Sequence, residues 1–255
     1  MSASLNIYSY LHARGYFISI GTIPLSAVDQ PIAVEALKVD RDALFLNSLI
    51  SYASMIHALN TKNYSWAFIS SYYCIFYLTK TQLAIANYAL FYFNDKFYRL
   101  LLNPGEIALR INGNSHEGVL NFYSTTFPND YFVVNQIEQM TPFSWFKQKR
   151  EAINYRSNPM TDPSPHSSLY DYKKDIRKWL HNYINDSTGS YIFSESHAYV
   201  ALTTKFLDNI FKYYNDNSIK NQFLTDAIFK HLSNNIKDKE GPIDLMISRL
   251  KTIKS

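Results

Sequence analysis

Apolar side chains recur at three- and four-residue spacing along Leu46, Leu49, Ile50, Ala53 and Ile56. That period marks one face of an α-helix. Asp40 offers a capping carboxylate just ahead of it, so the pattern predicts a helix over about 41–59. Asn60 to Asn63 makes a short turn, and a second helix follows over about 64–83, giving an antiparallel helical hairpin. From Phe68 to Leu78 this second helix is apolar or small on nearly all sides, which predicts a place at the centre of a bundle. Ser70 and Ser71 are small enough to let a neighbouring helix come close.

The period then changes. Ala89 to Phe93 and Lys96 to Leu101 are rich in Tyr, Phe and Leu and flank Asn94-Asp95. This reads as a β-hairpin, although its turn lacks the usual glycine; a helix continued through 84–101 is the alternative. Asn103-Pro104-Gly105 makes another turn, and Ile107 to Ile111 adds a third strand. Residues 1 to 38 carry a weaker pattern, with a short strand expected at Tyr16 to Ile20 and a turn at Ile23-Pro24.

Further on, Ser115 caps a helix beginning at His116-Glu117, and Phe127-Pro128-Asn129-Asp130 breaks it. Thr141-Pro142 starts another that carries Trp145 to Tyr155 and stops near Asn158-Pro159. The three prolines between Asn158 and Ser168 mark a loop. Helices are expected over about 169–185, 195–214 and 218–236, with a short one at 242–253. The fold expected is mainly α, a helical bundle with a small β-hairpin or ribbon inserted near 88–111. Its parts are an N-terminal segment 1–40, a bundle 41–185, and a C-terminal helical extension 186–255 packed on the same domain.

Composition narrows the function classes. Hydrophobic residues make up 47% and charged residues 18% of the 255-residue chain, against a usual charged share of ~25%. A disordered or strongly charged tail is thereby excluded. Seven glycines are too few to favour a glycine-rich phosphate or dinucleotide loop. The single cysteine rules out an internal disulfide and fits a reducing cytoplasm. No charged-then-apolar leader pattern is visible. The longest apolar run, Trp66 to Leu78, is broken by two serines and falls short of the ~20 residues that span a bilayer. Histidines at 12, 57, 116, 166, 181, 197 and 231 form no HExxH, and no metal or cofactor is expected.

The placement of charge says more than its sum. Between Trp145 and Leu180 stand Lys147, Lys149, Arg150, Arg156, Lys173, Lys174, Arg177 and Lys178, against Glu151, Asp162, Asp171 and Asp175. This window carries the whole net charge of +4. It reads either as a solvated helix face or as a surface for an anionic partner such as RNA. The 21 Tyr and 17 Phe read either as core or, beside the basic window, as platforms for single-stranded bases.

Three segments, in order, carry a resemblance: Ser70-Ser71-Tyr72-Tyr73-Cys74-Ile75-Phe76-Tyr77, then Ser115-His116-Glu117-Gly118-Val119, then Arg150-Glu151-Ala152-Ile153-Asn154-Tyr155-Arg156. Together they resemble the HEPN superfamily of helical-bundle proteins over roughly 41–185. The resemblance implies RNA handling in toxin or antiviral defence, with metal-independent cleavage at the interface of a homodimer. An Arg would hold the scissile phosphate and a His assist the 2′-hydroxyl. Here Arg150 is followed five positions later by Tyr155 rather than His, and a phenol, which ordinarily titrates near ~10, is a poor base at neutral pH. Tyr77 likewise stands where one branch of that superfamily often has His. A literal Arg-x5-His spacing occurs at Arg110 to His116, but it runs from a predicted strand into a loop.

The candidate site is accordingly Arg150 on the phosphate with Asn154 and Tyr155 orienting or exchanging protons. Lys147, Lys149, Arg156, Lys173, Lys174, Arg177 and Lys178 form the RNA-binding surface. Arg150 and Asn154 share a helix face, whereas Tyr155 points away unless the helix ends there. The structural alternative is that Arg150 pairs with a carboxylate and Tyr155 packs in the core. The functional alternative is a non-catalytic module that regulates a protein partner encoded nearby or senses a nucleotide. Association has its own motive, since an aromatic-rich chain with low charge has little polar surface to cover itself.

Overall fold

The computed structural model describes residues 6–113, 115–156 and 172–252. It is mainly α-helical with one small antiparallel sheet. The helices are α1 (Ile7–Ala13), α2 (Gln30–Asn60), α3 (Tyr64–Ile85), α4 (Ser115–Thr126), α5 (Tyr131–Val134), α6 (Pro142–Glu151), α7 (Tyr172–Ile184), α8 (Ala198–Asp216), α9 (Asp226–Ile236) and α10 (Pro242–Thr252). A π-helical turn, Ala152–Arg156, continues α6. The strands β1 (Tyr88–Phe93), β2 (Lys96–Leu101) and β3 (Leu109–Arg110) form a sheet of order β1-β2-β3. The chain packs as two compact units, Met1–Phe45 with Thr79–Thr126, and Leu46–Leu78 with Phe127–Ser255.

In the first unit, the expected hairpin is present. Phe93 pairs with Lys96 across the two-residue turn, and Tyr88 with Leu101 at the far end. Asn94 and Asp95 both hold positive φ, 46° and 57°, the geometry of a type I′ turn. Side chains from β1 and β2, with Phe17, Leu25, Ala33 and Leu37, make one apolar cluster. Phe17 stacks on Phe93 with ring centres 5.0 Å apart.

Two expectations fail in this unit. Tyr16 to Ile20 forms turns, not a strand, because Gly15 (φ +76°) and Gly21 (φ +83°) bend the chain at either end. The first long helix begins at Gln30, not near 41. Pro31 sits in its first turn, where a missing N–H costs nothing, and the buried Ala33, Ala36 and Leu37 extend its apolar face backward. Asp40 does serve a helix start, but that of α1, where its Oδ2 accepts the Ile7 N–H at 3.2 Å.

In the second unit, the turn at 61–63 joins α2 to α3 as expected, with Asn63 N–H donating to the Ala58 carbonyl at 2.8 Å. Phe68 of α3 meets the rings of Trp145, Phe146 and Tyr199 at 5.4–5.7 Å between centres. Phe132 stacks on Phe206 at 4.7 Å. Tyr52 and Thr204, both fully buried, bond at 2.8 Å. The helix expected over 218–236 starts only at Asp226, since Ser218 holds φ 51° and Thr225 caps the true start. The loop expected at 158–168, and the helix end near Asn158-Pro159, lie outside the described residues.

Candidate functional site

Helix α6 positions the Arg150 cluster. Thr141 accepts the Ser144 N–H at 3.3 Å, and Pro142 occupies the first turn. Phe143, Trp145 and Phe146 are buried, which anchors one face and turns Lys147, Lys149 and Arg150 along the others. Helix α6 then widens into the π turn at Ala152. In such a turn the hydrogen bonds run between residues five apart, and turns of this kind recur at functional sites.

The Arg150 guanidinium lies 4.9 Å from the centre of the Tyr72 ring and 5.8 Å from that of Tyr73. Tyr72 is buried. Burial pushes its phenol up to about 12, with the neighbouring Arg150 charge pulling the other way, so the phenol stays protonated at neutral pH. A desolvated cation–π contact contributes up to about 2 kcal/mol. The Nε of Arg150 is buried with no hydrogen-bond partner, and a buried donor left so costs about 1–3 kcal/mol. The two effects are comparable. The two rings thus hold the guanidinium in place while Nε is left without an acceptor.

Asn154 and Tyr155 are exposed, Tyr155 by 76%. Tyr155 is therefore not a core residue. Lys149 is already matched by acids, standing 3.1 Å from both Glu138 and Glu195. Burial opposes its charge, yet these glutamates hold its pKa above the ordinary lysine value. Glu138 also accepts the Trp145 indole N–H at 2.7 Å, and this bond, with Lys149, draws its pKa down. Arg177 donates to the Lys239 carbonyl and lies 4.0 Å from Asp238. Lys178 is exposed and Lys147 half-buried. The side chains of Arg156, Lys173 and Lys174 lie outside what the structure describes.

The structure therefore brings together two of the three sequence segments, the Tyr72-Tyr73 pair and Arg150. The third, Ser115 to Val119, belongs to the first unit. There Gly118 has a packing reason of its own: an added Cβ would stand 2.9 Å from Ile111 Cγ2 and 3.2 Å from the Asn112 carbonyl oxygen. Arg110 ends β3 and is exposed. Sequence reasoning missed the aromatic seat of Arg150, although Tyr72-Tyr73 was in view, because helical spacing on α3 does not say which ring meets which distant cation. It also missed Glu138 and Glu195, which lie outside the basic window. Among the described residues no group of three His, Cys, Asp or Glu is placed to hold a metal ion, and no helix is long and apolar enough to cross a membrane. The chain matches no family model, and no curated protein or solved structure is significantly similar to it.

Proposed function

We propose that this chain is a HEPN-like RNA-handling protein, a metal-independent endoribonuclease of a toxin or antiviral defence system acting in the cytoplasm. The observation that carries the reading is Arg150, its guanidinium seated against Tyr72 and Tyr73 with Nε unbonded. A phosphate oxygen supplies the acceptor that this buried donor lacks, and an arginine fork suits phosphate geometry. Tyr155, exposed on the adjoining π turn, offers a ring on which a single-stranded base stacks. In the active form two copies associate as a homodimer, so that two Arg150-bearing helix ends line one groove.

A second reading is a non-catalytic module that binds RNA, a nucleotide or a partner protein. The specific observation behind it is that the rings seated against Arg150 are phenols, not imidazoles. Incubating purified protein with mixed RNA in EDTA tests both. Products that disappear in Arg150→Ala support the nuclease. RNA retained without products supports the module, and neither retention nor products overturns RNA handling altogether. Light scattering at micromolar concentration tests the dimer, and a strictly monomeric mass removes the composite groove.

A further inference from the structure

The two edges of the small sheet differ. β3 is two exposed residues long and ends in Arg110. β1 pairs with β2 along its whole length without a bulge, and Tyr88–Phe93 contains neither charge nor proline. Shortness, charge, proline and bulges are the features that keep an edge strand from pairing with another chain. β1 has none of them.

Two bonds fix which backbone groups of β1 face outward. Asn87 accepts the Leu102 N–H at 2.9 Å, at the start of the β1–β2 ladder. In an antiparallel ladder, residues that exchange such bonds alternate with residues whose N–H and C=O point away. Ala89, Phe91 and Phe93 therefore turn their backbone groups to β2, and Tyr88, Leu90 and Tyr92 turn theirs to the open side. The partner of Tyr92 agrees: the Phe97 carbonyl faces β3, where it accepts the Ile111 N–H at 2.8 Å. Among the described residues, none hydrogen-bonds the outward N–H and C=O groups of Tyr88, Leu90 and Tyr92. Tyr92 is exposed, and Tyr88 and Leu90 are half-buried, so this edge is not sealed inside the core.

We propose that β1 pairs antiparallel with β1 of a second copy about a two-fold axis at Leu90. Leu90 then faces Leu90 of the other copy, and Tyr88 faces Tyr92. In that register every outward N–H of one copy meets an outward C=O of the other, with none left over. No like charges stand opposite each other, a juxtaposition that weakens strand pairing. The uncharged Tyr-Leu-Tyr series asks for an uncharged apolar strand, and β1 is itself such a strand. The assembly also closes, because the outer edges of the joined sheet are the two short β3 strands, which are too short to recruit a third copy. The pairing does not rest on the RNA reading.

Hydrogen exchange on the full chain over a concentration series, with light scattering for mass, tests it. A dimer is expected at micromolar concentration. The Tyr88, Leu90 and Tyr92 amides should gain protection as concentration rises, whereas those of Ala89, Phe91 and Phe93 should not change. Tyr92→Pro removes an outward N–H and no bond to β2, a place where an edge strand tolerates proline. It is expected to weaken dimerisation about tenfold or more with an unchanged circular dichroism spectrum. Should that variant misfold, Leu90→Cys decides instead: oxidation is expected to link two copies through position 90, while Tyr88→Cys, far from its own counterpart, does not cross-link. The native Cys74 is buried and gives no background. A monomer at every concentration, or protection at 88, 90 and 92 that ignores concentration, overturns the proposal and leaves the edge to another chain or segment. So does a folded Tyr92→Pro variant that dimerises like the parent, equal cross-linking at 88 and 90, or a dimer that Arg150→Ala abolishes and Tyr92→Pro leaves intact.

Discussion

Tyr16 donates its phenolic hydrogen to Asp29 Oδ2 at 2.8 Å. The same carboxylate also accepts the Tyr10 hydroxyl at 2.9 Å, the Ser26 hydroxyl at 2.8 Å and the Arg14 Nε–H at 2.8 Å. One buried acid thus ties α1, the turns around Tyr16 and the start of α2 into a single piece. A strand at Tyr16 to Ile20 would point alternate side chains away from this centre.

Asp29→Asn is therefore expected to destabilise the protein by about 2–4 kcal/mol, since several bonds to a charged acceptor weaken at once. Burial alone pushes the Asp29 carboxyl up, but the Tyr16, Ser26 and Tyr10 hydroxyls and Arg14 override it and bring it to about 2. A lowered carboxyl pKa lends stability that is complete above the ordinary carboxylate range and lost as pH falls toward about 2. Chemical denaturation of parent and variant should converge as pH falls through that window. A gap that stays constant from neutral pH to pH ~2 defeats the assignment.

Asp186 does comparable work between α7 and α8. Its Oδ1 accepts the N–H groups of Gly189 and Ser190 at 2.9 and 3.1 Å, and its Oδ2 those of Tyr191 and Ile192 at 2.8 and 3.0 Å. Burial pushes this carboxyl up as well, but the Ile192 and Tyr191 amides prevail and hold it below its ordinary value. Asp186→Ala strands buried amides and is expected to cost about 3 kcal/mol. Hydrogen exchange should show those four amides losing protection first. Unchanged protection there means the loop is held by something else.

How far the sequence reached depends on the range of the force involved. The hairpin 88–101, the turn at 61–63 and the Pro142 helix start were legible because the deciding residues are neighbours in the chain. The start of α2 was not read from the sequence. Asp40 drew the start to about 41, while the acid ahead of the true start, Asp29, is occupied by Tyr10, Arg14 and Tyr16, and no local pattern announces such convergence. The basic window misled in a related way. Counting charges between Trp145 and Leu180 cannot show that Lys149 is matched by Glu138 and Glu195 from outside it. Arg150 stood out from the sequence, whereas its seat on Tyr72 did not, because that contact joins helices far apart in the chain.

That difference between Lys149 and Arg150 makes the proposed RNA contact testable residue by residue. With a single-stranded RNA probe at fixed salt, fluorescence anisotropy should show Arg150→Ala weakening binding by about tenfold, as loss of a phosphate contact does. Tyr155→Ala should lose about 1–3 kcal/mol of base stacking without changing protein stability, because the ring is 76% exposed. Lys149→Ala should matter less than either, since its charge is already answered by two glutamates. If Lys149→Ala is the most damaging of the three, the contact lies along the outer face of α6 and not at Arg150.

The hairpin turn offers the last prediction, and it follows from backbone geometry alone. Asn94 and Asp95 both sit at positive φ, a region that costs an L-residue with a Cβ roughly 1–2 kcal/mol. Asparagine tolerates that region better than most residues, and glycine is indifferent to it. A type I′ turn accordingly prefers Asn-Gly, whereas this chain has Asn-Asp. Asp95→Gly removes the strain at the second position while keeping the Phe93–Lys96 pairing. Against this, glycine gives the unfolded chain more freedom, an effect of about 0.4–1 kcal/mol. The relief of strain exceeds the entropy term at a left-handed position, so Asp95→Gly is expected to stabilise the first unit by about 0.5 kcal/mol. Asp95→Ala keeps the Cβ but lacks the short polar side chain that makes Asn and Asp more tolerant of the left-handed region, so it is expected to destabilise. Thermal melts of both variants decide it: if Asp95→Ala melts at or above Asp95→Gly, backbone strain at this turn is not what limits the hairpin.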